Sequence, residues 1–134
     1  MTLIPKRPII KSKTHLEYVA RNYPCLKCRS NYGVQACHIR TVFGMGNAGV
    51  GTKGGDLFVV PLCYLCHQQQ HQTSEINFYS KLNINPILQS KNFALHSKCK
   101  KIKQKAKEGY YDKYIEHYES ALKNTKSIKQ FKDL

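Results

Sequence analysis

Apolar and polar positions recur with different periods along this chain, and those periods predict its secondary structure. The segment from Lys13 to Asn22 favours a helix, whereas residues 34 to 40, V-Q-A-C-H-I-R, alternate in the manner of a short strand. Residues 57 to 62, L-F-V-V-P-L, indicate a second strand. The run that follows Cys66 favours a helix opened by that residue, and further helical segments follow Pro86. The predicted fold class is therefore α+β.

Two stretches near the C-terminus have opposite characters. Between Lys98 and Lys107, K-C-K-K-I-K-Q-K-A-K offers almost no apolar face, so it is either a solvated helix, a frayed tail or a phosphate-binding arm. After Gly109, apolar side chains at helical spacing predict a helix that packs on a core or a partner: Tyr111, Tyr114, Ile115, Tyr118 and Leu122. The length of 134 residues indicates one domain, with its core at about 15–95 and a basic helical extension over 98–134.

The charge balance indicates which class of partner the chain binds. The chain has 22 Lys plus Arg against 8 Asp plus Glu, a formal charge of +14, which is typical of a nucleic-acid-binding protein. Residues 1–53 contain nine basic residues and one acidic residue, Glu17, so this part should attract phosphates. No long apolar segment or basic amphipathic anchor favours a membrane. Pro5, Lys6, Arg7 and Pro8 interrupt any apolar run at the N-terminus, so no secretory signal is predicted.

Four cysteines have the spacing of a metal site. Cys25/Cys28 and Cys63/Cys66 form two Cys-x-x-Cys pairs, and such pairs supply the four thiolates that satisfy a structural Zn²⁺. The alternatives are disulfides or inert buried thiols, and the absence of a secretory signal disfavours disulfides. Cys37 is able to replace one of the four, and Cys99 is expected to be a free thiol. The 34 residues between the pairs must then form a subdomain pinned at its base by the metal.

A second cluster of candidate ligands is made of histidines. His67 and His71 are one helical turn apart and face the same way, so they either hold a second ion or form a polar helix face. His38 lies near the end of the first predicted strand. Six of the eight glycines fall in residues 44–55, a loop that is either disordered or held against a ligand. This order of strand, loop, strand and helix is the outline of a ββα-metal nuclease site.

From His15 to about Leu95 the chain resembles the HNH nucleases of the His-Me finger group, in the phage-associated branch that includes the Ref recombination nuclease. Four stretches carry the resemblance: Y-P-C-L-K-C at 23–28, A-C-H-I-R at 36–40, G-T-K-G-G-D-L-F-V-V-P-L-C at 51–63 and C-H-Q-Q-Q-H at 66–71. The tract from 73 to 86 continues it. The resemblance implies a small zinc-stapled ββα-metal (HNH) domain with flanking helices.

The resemblance also implies roles for particular residues. His38 would be the general base, His67 and His71 would hold a catalytic divalent ion such as Mg²⁺, and Asp56 sits where the family has its middle polar residue. A neutral imidazole suits proton abstraction from water because its pKa is near the operating pH. Asp56 either caps the loop entering the second strand or orients the metal site. Arg40 either holds a phosphate from the His38 side of the strand or is solvated.

One departure from the family matters for the ligand set. Many HNH enzymes carry an Asp or His directly before the base as a metal ligand, and this chain has Cys37 there. The expected function is a metal-dependent DNA endonuclease or nickase of phage type, in a bacterial cytoplasm, whose further partner is a recombinase filament or another phage DNA-processing protein. The alternatives are a zinc-stabilised nucleic-acid-binding module without cleavage activity and a zinc-knuckle scaffold for protein assembly.

Overall fold

The computed structural model describes residues 10–39 and 56–132, with side chains described as far as residue 124. Its elements are α1 (Lys13–Asn22), β1 (Val34–His38), β2 (Val59–Cys63), α2 (Tyr64–His71), α3 (Glu75–Leu82), α4 (Pro86–Leu95), α5 (Lys100–Lys107) and α6 (Asp112–Lys132). The α+β class is confirmed. The helix predicted from Lys13 to Asn22 is confirmed with the same bounds, and the helical region after Pro86 comprises three helices.

The two strands form an antiparallel pair, with Val34 opposite Cys63 and His38 opposite Val59. The second strand begins two residues later than predicted and extends through Cys63. All five residues of β2 are buried, because β1, α1, α2 and α4 all contact this strand. A short continuous apolar run is what a fully buried strand requires. Arg40, predicted as the end of the first strand, lies outside the described residues, and β1 ends at His38.

Side-chain caps explain where several helices begin. Ser12 Oγ accepts the backbone N–H of His15 at 3.0 Å at the start of α1. Asn85 Oδ1 accepts the N–H of Ile87 at 3.0 Å at the start of α4, where Pro86 occupies the first turn. Such caps satisfy donors that have no partner within the helix.

The start of α2 corrects a prediction. Cys66 was expected to open this helix, but the helix begins at Tyr64, and its N-cap is Cys63 without a side-chain cap. The physical reason is that Cys63 still has extended dihedral angles as the last residue of β2, so the helical turn begins directly after it. Strand and helix therefore join without a linker.

The lysine-rich stretch folds as a helix with a narrow apolar face, which corrects the expectation of almost none. Ile102 and Ala106 are 0% and 2% exposed and lie one turn apart on α5, which packs against α4. Residues four positions apart share a helix face, so two apolar side chains are enough to anchor the helix while its lysines stay near solvent.

The tyrosines of α6 and the tyrosine just before it pack into the core, as predicted. Tyr111, Tyr114, Tyr118 and Leu122 are buried, and Ile115 is partly buried against them. The Tyr111 hydroxyl donates to the backbone carbonyl of Leu57 at 2.6 Å, and the Tyr118 hydroxyl donates to Glu75 Oε1 at 3.1 Å. Buried phenols of this kind need a hydrogen-bond partner. Within the described residues, none of the helices has the length and apolar character needed to cross a bilayer.

Candidate metal centre and histidine site

The thiols of Cys25, Cys28, Cys63 and Cys66 come together at the base of the hairpin. Their four sulfur atoms all lie within 4.8 Å of one another, and the Cys28 and Cys63 sulfurs are 3.6 Å apart. Sulfurs bound to one tetrahedral Zn²⁺ at about 2.3 Å are roughly 3.8 Å from each other. The four thiols are therefore close enough to hold a metal ion such as zinc, as the spacing predicted.

Backbone hydrogen bonds shape the first thiol pair. The Arg29 N–H donates to the Cys25 carbonyl at 3.0 Å, and the Cys25 N–H donates to the Ser30 carbonyl at 2.9 Å. Arg29 has a φ of 64°, a left-handed conformation that reverses the chain after Cys28. The Leu26 N–H donates to the Pro61 carbonyl at 3.0 Å, which ties this turn to β2. The turn thus brings the first pair against the strand that supplies Cys63.

The pKa values within the cluster diverge. Burial raises the pKa of Cys25, but backbone N–H groups of Cys28, Cys63 and Lys27 outweigh that effect and lower it to about 7. Burial and hydrogen bonds with the neighbouring thiols raise the pKa of Cys66. Several thiolates at such short range repel one another unless a cation lies between them. This donor set consequently suits a divalent cation.

Cys37 and Cys99 lie outside this cluster. Burial raises the pKa of Cys37 to about 12, with further increases from Cys25 and Cys63, so its thiol stays protonated at neutral pH. The sequence left open that Cys37 replaces one of the four ligands. In the structure the cluster consists of the other four cysteines, and Cys37 is not part of it. Cys99 is partly buried at the N-cap of α5 and forms no disulfide.

His38 and Asp56 form a pair at the end of the hairpin. His38 Nε2 lies 2.8 Å from Asp56 Oδ1, and the His38 side chain is 49% exposed while that of Asp56 is 12% exposed. A carboxylate that accepts from Nε2–H leaves Nδ1 as the basic nitrogen of a neutral ring. The pair therefore presents an oriented imidazole to solvent.

Asp56 has contacts that neither predicted role describes. Its Oδ2 accepts the backbone N–H of Ser12 at 2.7 Å, and its own N–H donates to the Ile10 carbonyl at 2.7 Å. These bonds tie the stretch that leads into β2 to the segment that leads into α1. Asp56 thus joins three parts of the chain and fixes the ring of His38 among them.

His67 and His71 face each other on α2. Their Nε2 atoms are 3.0 Å apart, and the Nδ1 atom of His67 lies 3.2 Å from the side-chain oxygen of Gln35 on β1. Adjacent ligand atoms, each about 2.1 Å from one ion, lie about 3 Å apart when they meet at a right angle. A metal-binding imidazole also commonly donates its other N–H to an oxygen, as His67 does to Gln35 when Nδ1 carries the proton.

The His38–Asp56 pair and the His67–His71 pair lie on opposite sides of β1. Gln35 and His38 are three positions apart on a strand, so their side chains leave opposite faces, and Gln35 is the one that contacts His67. Cys37 shares the Gln35 side, where many HNH enzymes have a ligand, but its thiol is buried. Within residues 10–39 and 56–124, no third Cys, His, Asp or Glu converges with His67 and His71.

Some predicted features fall outside the described residues, and two contact residues were not predicted. Arg40 and the glycine-rich residues 44–55 lie in the undescribed segment 40–55. Gln35 and Ser12 were missed. Strand alternation could have indicated Gln35, because it shares a face with Cys37, and Cys37 is at the position where many HNH enzymes have a metal ligand. The backbone contact of Ser12 with Asp56 spans 44 residues and leaves no sequence signal.

Comparison with known proteins gives a family and a relative. The model of a family described as "Protein of unknown function (DUF968)" matches residues 1–94. The chain is also similar to the uncharacterized protein YdfU of Escherichia coli (strain K12), with 35% identity over 78 residues, which cover 58% of this chain and 21% of that protein. The chain thus spans about a fifth of the length of this curated relative. No solved structure matches. The residues that match the family model include the thiol cluster, the His38–Asp56 pair and the His67–His71 pair, and they end before α5.

Proposed function

This chain belongs to the DUF968 family, and from the geometry of its site we propose that it is a metal-dependent DNA endonuclease or nickase of the HNH type. The proposal covers a structural zinc on the four cysteines, a catalytic divalent ion on α2 and a base on β1. It also assigns the protein to phage DNA processing or recombination, in line with the resemblance described above.

The observation that carries this proposal is the pairing of His38 with Asp56. Their atoms are 2.8 Å apart, and the imidazole is half exposed while the carboxylate is nearly buried. A zinc-binding scaffold without catalysis gains little from a buried carboxylate that orients a solvent-facing imidazole. A hydrolase needs that arrangement, because a general base must have a fixed tautomer and access to water.

The divalent ion would be held by His67 and His71. Their nitrogens are already as close as adjacent ligands of one ion, and Gln35 is placed to orient the His67 ring. When bound, such an ion neutralises charge on the scissile phosphate and on the leaving oxygen. In this assignment His38 Nδ1 accepts a proton from the attacking water, and Asp56 stabilises the imidazolium that results. The assignment requires the scissile phosphate to lie across the end of β1, because His38 is the last residue of that strand and its side chain leaves the face opposite to the one that contacts His67.

Cleavage of supercoiled plasmid and single-stranded circles tests the proposal, with Mg²⁺, Mn²⁺ or no added divalent cation. The wild-type protein should nick or linearise DNA only with the added cation. His38→Ala should lower the rate by about 10²- to 10⁴-fold, the usual contribution of a general base, with DNA affinity and zinc content near wild type. His67→Ala should also stop cleavage at the cation concentration that suffices for wild type, and any remaining activity should require a higher concentration.

His96→Ala is the matched control, because His96 is exposed at the C-cap of α4 and has no assigned role in the proposed site. It should cleave at the wild-type rate. An active His38→Ala protein would refute the assignment of the base.

A second candidate is a zinc-stabilised nucleic-acid-binding module without cleavage activity. The observation that favours it is the ligand set on α2, where two imidazoles meet no third Cys, His, Asp or Glu among the described residues. The plasmid assay separates the two functions. Binding without cleavage under every cation, with His67→Ala and His71→Ala unchanged in binding, would support the module.

A further inference from the structure

The exposed side of α5 faces an open cleft, and the α5 wall of this cleft carries three lysines. The cleft has a volume of about 450 Å³ and is lined by Ile10, Lys100, Lys101, Gln104 and Lys105. Among the residues that the structure describes, no acidic side chain lines the cleft. Lys105 lies 5.4 Å from the ring centroid of Tyr110 and 3.8 Å from Glu108, so its ammonium group is held near one position. Three ammonium groups along one wall are an arrangement that attracts a polyanion.

The opposite wall of the cleft connects to the His38 pair. The Ile10 carbonyl accepts the Asp56 N–H at 2.7 Å, and Asp56 holds the His38 ring at 2.8 Å. Ile10 is thus one hydrogen bond away from the carboxylate residue that orients the imidazole. A polymer lying in the cleft would pass close to the side of the molecule that carries His38.

The chemistry of the cleft favours nucleic acid over a lipid surface. The apolar side chains of α5, Ile102 and Ala106, are turned inward and buried, so the lysine side of the helix has no apolar group to insert between lipids. Lysine ammonium groups are compact charges that contact phosphates at any sequence. The expected ligand is therefore the phosphate backbone, bound without base recognition.

We propose that the cleft between Ile10 and α5 binds the sugar-phosphate backbone of DNA and directs it toward His38. This inference rests on the proposed function, since it assigns to α5 the positioning of the nuclease substrate. It also goes beyond the family, because α5 begins after residue 94, where the family match ends. The cleft would be a feature that this chain adds to the shared site.

Salt-dependent binding of the full chain tests the inference. A fluorescent DNA duplex is titrated without added divalent cation, at salt concentrations from about 50 to 200 mM, with wild type and the triple variant Lys100→Gln/Lys101→Gln/Lys105→Gln. Each phosphate contact contributes about 0.9 to the slope of log affinity against log salt, so three contacts should reduce the slope by about 2.7. Over that salt range the wild-type affinity should then fall roughly 40-fold more than the affinity of the variant.

Two further variants keep the outcome interpretable. The triple variant Lys81→Gln/Lys113→Gln/Lys123→Gln removes the same charge from exposed positions that do not line the cleft, and it should retain the wild-type slope. Arginine at positions 100, 101 and 105 should restore the slope. Equal slopes for wild type and the cleft variant, or equal losses for both glutamine triples, would overturn the inference.

Other results separate this inference from the nuclease proposal and from membrane binding. A reduced slope in a protein that never cleaves plasmid would leave the cleft as a DNA site and refute the nuclease. Plasmid cleavage by wild type, together with an unchanged salt slope in the cleft variant, would support the nuclease and overturn the assignment of the cleft. Vesicles containing phosphatidylserine are the third ligand: loss of vesicle binding with unchanged DNA binding would assign the cleft to a membrane surface and overturn the inference.

Discussion

The buried imidazole of His15 should make this protein sensitive to mild acid. His15 is 0% exposed on α1, and its Nδ1 lies 2.7 Å from Ser97 Oγ. Its Nε2 is buried and has no hydrogen-bond partner among the described residues. Protonation would make both ring nitrogens donors, and only one of them has an acceptor. Burial lowers the pKa of His15 from 6.5 to about 4, although the charge of Asp56 partly opposes this shift.

The sign of the effect follows from proton binding. Between pH 6.5 and about 4 the unfolded chain binds a proton at His15 that the folded chain does not bind. The stability that depends on a neutral His15 ring is therefore fully present above pH 6.5, and it is lost as the pH falls from 6.5 toward 4. With these two pKa values, going from pH 7 to pH 5 lowers the free energy of unfolding by at most about 2 kcal/mol, and by less if water reaches the ring.

Urea unfolding of zinc-loaded protein at pH 7 and pH 5, followed by circular dichroism, measures this loss. His15→Gln should be less stable than wild type at pH 7, because the packed ring is removed, but it should lose up to about 2 kcal/mol less between the two pH values. Acid effects on the thiol cluster cancel, since both proteins contain it. His96→Gln controls for removal of an exposed imidazole. Parallel losses in wild type and His15→Gln would refute the reasoning.

The remaining predictions concern the metal and the core. Purified protein should contain about one Zn²⁺ per chain by elemental analysis. Cys63→Ser should lose the metal and unfold, whereas Cys99→Ser should keep the metal and the fold. Folded wild-type protein without zinc would contradict this prediction. Tyr118→Phe removes the hydroxyl that donates to the buried Glu75 carboxyl group at 3.1 Å, so it should lower the free energy of unfolding by about 0.5–1.5 kcal/mol, the usual contribution of one hydrogen bond, in urea titrations. A Tyr118→Phe protein as stable as wild type would mean that this hydrogen bond contributes nothing to stability.

Local patterns explain which parts of this structure could be predicted. The bounds of α1 and the buried face of α6 follow from periodicity and capping, which depend on residues a few positions apart. The thiol cluster was predictable because each Cys-x-x-Cys pair already has the geometry of half a site. The start of α2 at Tyr64 was missed because nothing in the sequence separates strand from helix there.

The contacts that define the candidate site mostly join distant parts of the chain. The Asp56 contact with Ser12 spans 44 residues, and the Nδ1 contact of His15 with Ser97 spans 82. Neither leaves a periodic trace. The resemblance to HNH nucleases implied that His38 and Asp56 belong to one site, but their direct pairing depends on how residues 18 positions apart meet in the folded chain. The face on which Gln35 lies was implied by strand alternation, yet its contact with His67 depends on how α2 packs on β1.

The closed end of the hairpin at His38 has a consequence for the length of the segment that joins its two strands. The Ile39 N–H donates to the Phe58 carbonyl at 3.0 Å, and His38 is bonded to Asp56, so the two ends of the segment 40–55 are fixed to each other. When the ends of a loop are already fixed, the entropy of closing it grows only with the logarithm of its length, about 0.6 kcal/mol per doubling. Changes in the length of this segment should therefore leave the register of β1 against β2 unchanged, because the bonds that fix this register lie outside the segment.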